Sequence, residues 1–272
     1  MPSLDTHPSF SNVKLLYIGA SGSGKTGSLA SLAAKYQLFI QDYDNGLDVL
    51  LDPKILPPEQ RKNVHYVTLT DKLEDDGNGI AIAKDPKAFS RGLQLLSRWK
   101  DGTEDFGPIS TWGPDRILVI DSITFQGKAT MRYVQHINGK TGKRPSQPIW
   151  GDAIDRQEGL LQLLYADNIK CHVIITAHIR EIDLNEKKAD PDDEGYIPDV
   201  QAFPSFLGRQ LPGNAGRYFN SMIAATVMGT KRVIRTRTLG NLALKISTPS
   251  KVPSELPLET GMLELFNKLL TK

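Results

Sequence analysis

A single cysteine, Cys171, stands among 272 residues. One thiol closes no internal disulfide and supplies no cysteine-based zinc site. Its place beside the apolar run His172-Val173-Ile174-Ile175 marks it as a buried structural thiol. Such scarcity fits a reducing cytoplasm, where the protein is expected. No apolar run approaches the roughly 20 residues of a membrane-spanning helix. The first ten residues lack the apolar core of a signal peptide, so no membrane partner is expected. Charge of one sign is also lacking: 33 Lys and Arg against 31 Asp and Glu leave a net +2. That excludes a general attraction to nucleic acid, and any such site must be a local basic patch. There is no internal repeat and no strong domain boundary. What remains is the composition of a soluble globular chain, 39% hydrophobic and 24% charged, able to bury a core.

Against these absences one stretch is explicit. Gly19-Ala20-Ser21-Gly22-Ser23-Gly24-Lys25-Thr26 fits G-x-x-x-x-G-K-[ST], the phosphate-binding P-loop, with Gly27 directly after it. Its glycines let the backbone curl until successive N–H groups point inward at a phosphate. Lys25 can reach the β- and γ-phosphates, and the Thr26 hydroxyl can ligate Mg²⁺. Residues 13–18 read as a buried strand before the loop. Leu29, Ala30, Leu32, Ala33 and Tyr36 recur at helical spacing after it, which predicts a helix over 25–36 with its positive end at the anion.

Further along, strands are expected at 38–40, 64–69, 116–122 and 173–176, and helices at 88–99, 126–136 and 150–168. An acidic turn follows at 41–48, and a basic, breaker-rich loop at 138–146. Residues 179–216 are long, polar and rich in Pro and Gly; a structureless segment of that length is usually functional or mobile. Strands at 222–228, 231–238 and 242–246 predict an antiparallel ribbon. Met262, Leu263, Leu265, Phe266, Leu269 and Leu270 predict a closing helix. Strands alternating with helices imply an α/β fold, a mostly parallel sheet between helices with a C-terminal antiparallel ribbon.

The strand at 116–122 is apolar until Asp121. A buried strand ending in Asp, downstream of a P-loop, places a carboxylate beside the Mg²⁺-bound Thr26. The other reading of Asp121 is a cap on the following helix, shared with Ser122.

With these residues in view, the chain resembles the RecA-type recombinase ATPases. Within them it is most similar to compact phage-encoded nucleotide-binding proteins associated with single-strand annealing recombination. Four stretches carry the resemblance: the P-loop; Ile117-Leu118-Val119-Ile120-Asp121-Ser122; Phe39 to Asp48; and Ile175-Thr176-Ala177-His178-Ile179-Arg180. The resemblance implies a RecA-like ATPase domain over 13–248, after a flexible arm at 1–12 and before a linker and helix at 249–272. It implies ATP and Mg²⁺ as cofactors, and Asp44 in the place of the catalytic glutamate, with Asp42 as competitor. His178 falls in the place of the γ-phosphate-sensing glutamine, and Asp48 in that of a residue near adenine. Asp44 is one methylene shorter than glutamate, and His178 brings a group that titrates near neutral pH.

Arg235 and Arg237 lie in the expected ribbon, and strand alternation puts both on one face. By resemblance they reach a neighbouring subunit's nucleotide, which implies self-association into a ring or filament. The two long loops fall where RecA-type proteins contact DNA. Lys140, Lys143 and Arg144 lie in the first; Arg180, Lys187, Lys188, Arg209 and Arg217 lie in the second, with Phe203 and Phe206 as candidates to stack on bases. Glu181, Asp183, Asp190, Asp192, Asp193 and Glu194 in the second loop oppose a DNA role. The expectation is a Mg-dependent ATPase that binds single-stranded DNA and supports phage-type recombination or annealing in the host cytoplasm, with a single-strand DNA-binding protein as a further partner. Two rivals remain: a P-loop kinase acting on a small acceptor, and a non-catalytic nucleotide-switched assembly or packaging component.

Overall fold

A computed structural model describes residues 11–77, 79, 81–185 and 197–271. Residues 1–10 of the arm expected at 1–12, and the charged residues Lys187, Lys188, Asp190, Asp192, Asp193 and Glu194, lie outside the described residues; Asn12, at the arm's end, is buried and donates to the Ile169 carbonyl. The strands in chain order are β1 (Lys14–Gly19), β2 (Gln37–Asp42), β3 (Val64–Thr68), β4 (Glu74–Asp75), β5 (Ala81–Ile82), β6 (Trp99–Asp101), β7 (Glu104–Gly107), β8 (Arg116–Asp121), β9 (His172–Ala177), β10 (Ile179–Asp183), β11 (Val200–Pro204), β12 (Ser221–Met228), β13 (Lys231–Arg235) and β14 (Glu255–Pro257). The helices are α1 (Lys25–Ser28), α2 (Ala88–Ser97), α3 (Ile123–Ile137), α4 (Gln147–Tyr165), α5 (Gln210–Asn214) and α6 (Gly261–Leu270).

Eight strands form one sheet in the order β14-β13-β12-β1-β9-β8-β2-β3. From β12 to β3 every neighbour is parallel, and β13 and β14 add an antiparallel edge. The central strands are buried on both faces, which is why they read as continuous apolar runs. Alternation then divides them. Leu15 and Tyr17 of β1 join Ile117 and Val119 of β8 against Leu29, Leu32 and the α6 residues Met262, Leu265 and Phe266. Leu16 and Ile18 join Leu118 and Ile120 on the other face, with Phe89 of α2, Ala129 of α3 and Leu161 of α4. The architecture is α/β, a large, mostly parallel sheet flanked by helices. Among the described residues no helix is long and apolar enough to cross a membrane.

Three local expectations are corrected. After the P-loop, only Lys25–Ser28 is α-helical; Leu29–Ala34 tightens to a 3-10 helix. Ser28 and Ser31 donate their hydroxyls to the carbonyls three residues back, Lys25 and Ser28, and so compete with the α-helical ladder. Residues 179–216 are not structureless. β10 pairs antiparallel with β11, and α5 follows. Residues 242–246 form only isolated bridges, such as Met222 with Lys245; the ribbon's third strand is β14.

Candidate nucleotide site

The site lies where four parallel strands end. β1 runs into the P-loop, β8 ends at Asp121, β9 ends one residue before His178, and β2 ends two residues before Asp44. In an open parallel sheet the carboxyl ends of the strands are where ligands bind. Register aligns them: Asp42 lies opposite Asp121, and Ile18 opposite Ala177. These ends share a cavity of about 720 Å³ lined by Gly22, Lys25, Thr26, Asp44, Asp121 and His178, among others.

The loop's glycines are required by its path. Gly22 and Gly24 have φ of 73° and 94°, in the left-handed region that side chains disfavour. A Cβ on Gly19 would lie 2.6 Å from Ser23 Oγ and 2.9 Å from the Ala225 carbonyl oxygen, so the loop closes only on glycine. Ser23 Oγ donates to the Ala20 carbonyl at 2.8 Å. The Lys25 ammonium donates to the carbonyls of Gly19 at 2.8 Å and Ala20 at 3.0 Å. Burial lowers the Lys25 pKa, against the opposing pull of Asp121 and Asp44.

Asp121 is buried between two hydroxyls. Thr26 Oγ1 donates to Oδ2 at 2.6 Å, and Thr176 Oγ1 donates to Oδ1 at 2.5 Å. Burial raises its pKa, and these two hydrogen bonds oppose the rise. Asp44 differs. Burial pushes its pKa up, but hydrogen bonds from His178 and Ser122 outweigh that and leave it lowered. Its Oδ1 accepts from Ser122 N at 3.0 Å and Ser122 Oγ at 2.7 Å, while Oδ2 lies 3.0 Å from His178 Nε2. Asp42 is set apart. It is buried, its pKa is raised by that burial, and its Oδ1 accepts from Gly46 N. It lines an adjoining cavity of about 240 Å³ with Asp48, Leu47, Leu51 and Tyr66. So Asp44, not Asp42, shares the pocket with Lys25 and Thr26.

The donor set suits Mg²⁺. Thr26 and Asp121 present a hydroxyl and a carboxylate, hard oxygens already at contact distance. Among the described residues no cluster of three or more His, Cys, Asp or Glu could cage a metal. Mg²⁺ bound to nucleotide needs no such cage, since it keeps waters and takes phosphate oxygens with one or two protein ligands.

β13 ends at Arg235, so Arg237 lies beyond the strand expected to carry both. Arg235 forms an ion pair with Glu255 of β14. Arg237 donates to the carbonyls of Pro249 at 2.6 Å and Val252 at 2.8 Å, which ties down the chain leading into β14. The ribbon cation that lines the pocket is Arg232, with Lys128 of α3 as a second. Neither was read from the sequence. Lys128 has a signal: counted from the helix start, Thr124, Phe125 and Lys128 share one helical face, and all three line the pocket. Arg232 reaches the pocket through register alone. It pairs with Val227, two residues beyond Ala225, which lies opposite Gly19.

Of the residues expected at DNA, Lys140, Lys143 and Arg144 are exposed in the turn after α3. Arg180 is on β10, 3.3 Å from the Gly208 carbonyl, and Arg209 precedes α5. Arg217 is ion-paired with Glu158 of α4 and bonded to the Tyr218 hydroxyl. The second set is thus spread over separate elements rather than one loop. Phe206 is 5% exposed in the core and is not available to stack on a base.

No protein-family profile matches the chain. No curated protein matches it. Among solved structures it is similar to one described as a prototypical ATPase from the type III secretion system of pathogenic bacteria, with 14% identity and a TM-score of 0.46. That match covers 79% of this chain and 52% of the other, so the chain spans about half the length of the protein it matches.

Proposed function

We propose that the protein binds Mg·ATP in this pocket and hydrolyses it. The observation that carries the reading is the 2.6 Å contact between Thr26 and Asp121, which joins the P-loop to the end of another strand. The P-loop N–H groups cradle the phosphates. Lys25 exchanges its loop carbonyls for β- and γ-phosphate oxygens. Thr26 and Asp121 hold Mg²⁺, which when bound neutralises charge that develops on the phosphates. The Asp44–His178 pair handles the attacking water. By the sequence resemblance, Asp48, which lines the adjoining cavity, meets the base. Release of inorganic phosphate from ATP, with and without Mg²⁺, tests the reading. Release that depends on Mg²⁺ and is lost in Lys25→Ala supports it; tight ATP binding without release in the natural protein replaces it with a nucleotide-switched, non-catalytic role.

The finer reading is a RecA-type ATPase of the phage recombination or annealing kind, acting on single-stranded DNA with a single-strand DNA-binding protein. It is supported by the sequence resemblance and by the exposed cations Lys140, Lys143 and Arg144. Self-association into a ring or filament belongs to the same reading. In it Arg235 trades Glu255 for a neighbour's phosphate, and Arg237, committed to its own chain, holds the ribbon. ATPase rates with and without single-stranded DNA, across salt, test the DNA partner: stimulation that falls with rising salt supports it. Unchanged rates and no binding reject it.

A further inference from the structure

The pocket holds one pair whose roles the geometry divides. We propose that His178 takes the proton from the attacking water and that Asp44 is the positioning residue that holds its ring. The proposal rests on the reading of the site as an ATPase. Three observations lead there. First, the Asp44 carboxylate is already engaged at both oxygens: Ser122 supplies two donors to Oδ1, and His178 Nε2 meets Oδ2. A carboxylate held this way orients a donor better than it collects a proton from water. Second, His178 is fixed on several sides. Its backbone N–H donates to Thr124 Oγ1 at 3.0 Å, and its ring meets Phe125 edge-on at 5.8 Å between centroids. Third, among the described residues His178 Nδ1 has no hydrogen-bond partner, and the residue lines the pocket with Lys25 and Thr26. With the ring proton on Nε2 facing Asp44, Nδ1 carries the lone pair.

With both Asp44 oxygens engaged, the open ring nitrogen of His178 is the acceptor that the pair leaves for a water. The step balances. Water oxygen bonds to the γ-phosphorus as one water proton passes to His178 Nδ1. The bond from γ-phosphorus to the bridging oxygen breaks, and ADP leaves with that electron pair. The imidazolium is held against Asp44 and later returns its proton to solvent. The other charged groups around the pocket are Lys25, Asp121, Lys128 and Arg232.

The test has two parts. The first needs no nucleotide. Nitrogen-15 NMR of the histidine rings at pH 8, with His178→Gln as the assignment control, should show His178 protonated on Nε2, and Asp44→Asn should disturb that signature. A proton fixed on Nδ1 instead would overturn the proposal. The second part measures turnover and affinity for a fluorescent ATP analogue. His178→Ala and His178→Gln should both lose about 10²–10⁴-fold in kcat, the usual worth of a general base, with analogue affinity within a few-fold of the natural protein. Added imidazoles should restore part of the His178→Ala rate in proportion to their basicity. Glutamine preserving turnover, or the absence of such rescue, overturns the assignment while leaving the ATPase reading intact. A natural protein that binds ATP and releases no phosphate overturns both.

Discussion

The two ends of the sheet carry the same pair of residue types with opposite fates. At the amino end, β1 begins with Lys14 and β9 with His172; at the carboxyl end, β1 leads to Lys25 and β9 to His178. Lys14 is buried and donates to the carbonyls of Leu164 and Ile169, closing the end of α4. His172 is buried, its Nδ1 accepts from Val13 N–H, and its ring packs edge-on to Tyr36 and Phe266. Burial lowers the Lys14 pKa to about 8 and the His172 pKa to about 4. At pH 7 His172 is therefore neutral and Lys14 still mostly an ammonium, and both serve the fold. Lys25 and His178, by contrast, stand in an open cavity with two carboxylates. The difference teaches that burial alone does not mark a functional cation. What marks it is a cavity and a set of opposite charges that it shares.

The largest effect should come from breaking this contrast at the lysines. Lys25→Ala removes a preorganised cation from the phosphates and should lower turnover by about 10²–10³-fold or more in a chain that still folds. Lys14→Met should leave ATP binding and turnover unchanged. It leaves the carbonyls of Leu164 and Ile169 without this donor, so its cost is to stability alone, about 1–3 kcal/mol. Phosphate release and thermal melts of both variants decide the matter. A Lys14 variant that loses turnover while folded would erase the distinction between the two ends.

How much of this was legible in the sequence follows the same division. The core strands β1, β2, β8 and β9 were legible because buried parallel strands are mostly apolar runs, and the partly buried edge strand β3 was legible from its β-branched and aromatic residues. The P-loop was legible because its chemistry is local, eight residues in a row. Asp121 beside Thr26 was legible from a strand end. Arg232 was not, because only the pairing of β13 with β12, and of β12 with β1, carries it to the pocket. β14 was hidden for a related reason: it is three residues long, ends in Pro257, and lies on the sheet edge, where proline is tolerated. The β10–β11 pair was masked by charge, since Arg180, Glu181 and Asp183 read as loop. Its pairing is carried by backbone hydrogen bonds and by alternate apolar residues such as Ala202.

The next break concerns pH. His172 is neutral in the fold down to about pH 4, while in the unfolded chain it takes up a proton near 6.5. Between these values the unfolded state binds more protons, so stability rises with pH and is lost as pH falls from 6.5 to 4. The size is about 3 kcal/mol at most. The carboxyl end responds with the opposite sign, since Asp42 and Asp121 have raised pKa values and bind protons more readily folded. The difference between the natural protein and His172→Asn isolates the amino end, because the Asn oxygen can accept the Val13 N–H in place of Nδ1. Urea melts at pH 7 and pH 4.5 should show a smaller acid loss in the variant. Equal losses would remove His172 from the account.

The smallest effects belong to the ribbon, where the question is whether its arginines follow the logic of the amino end or of the carboxyl end. Arg237 donates to two carbonyls of the segment that leads into β14, in the manner of Lys14. Arg237→Ala leaves those carbonyls without their donor and should cost about 1–3 kcal/mol, read as a lower urea midpoint. Turnover per folded molecule should stay within about twofold, a bound well below the loss expected for a group on the phosphates. Arg235 has one acidic partner at a partly exposed position, so Arg235→Ala should cost only about 0.2–1 kcal/mol. The informative measurement is the mixture of each arginine variant with Lys25→Ala. If a ring or filament places Arg235 against a neighbour's phosphates, Arg235→Ala alone loses cooperative turnover, and the mixture regains part of it, because one interface then combines an intact P-loop with an intact arginine. Arg237→Ala should show no such complementation. Complementation by Arg237→Ala with an unchanged urea midpoint would reverse the assignment and return Arg237 to the interface.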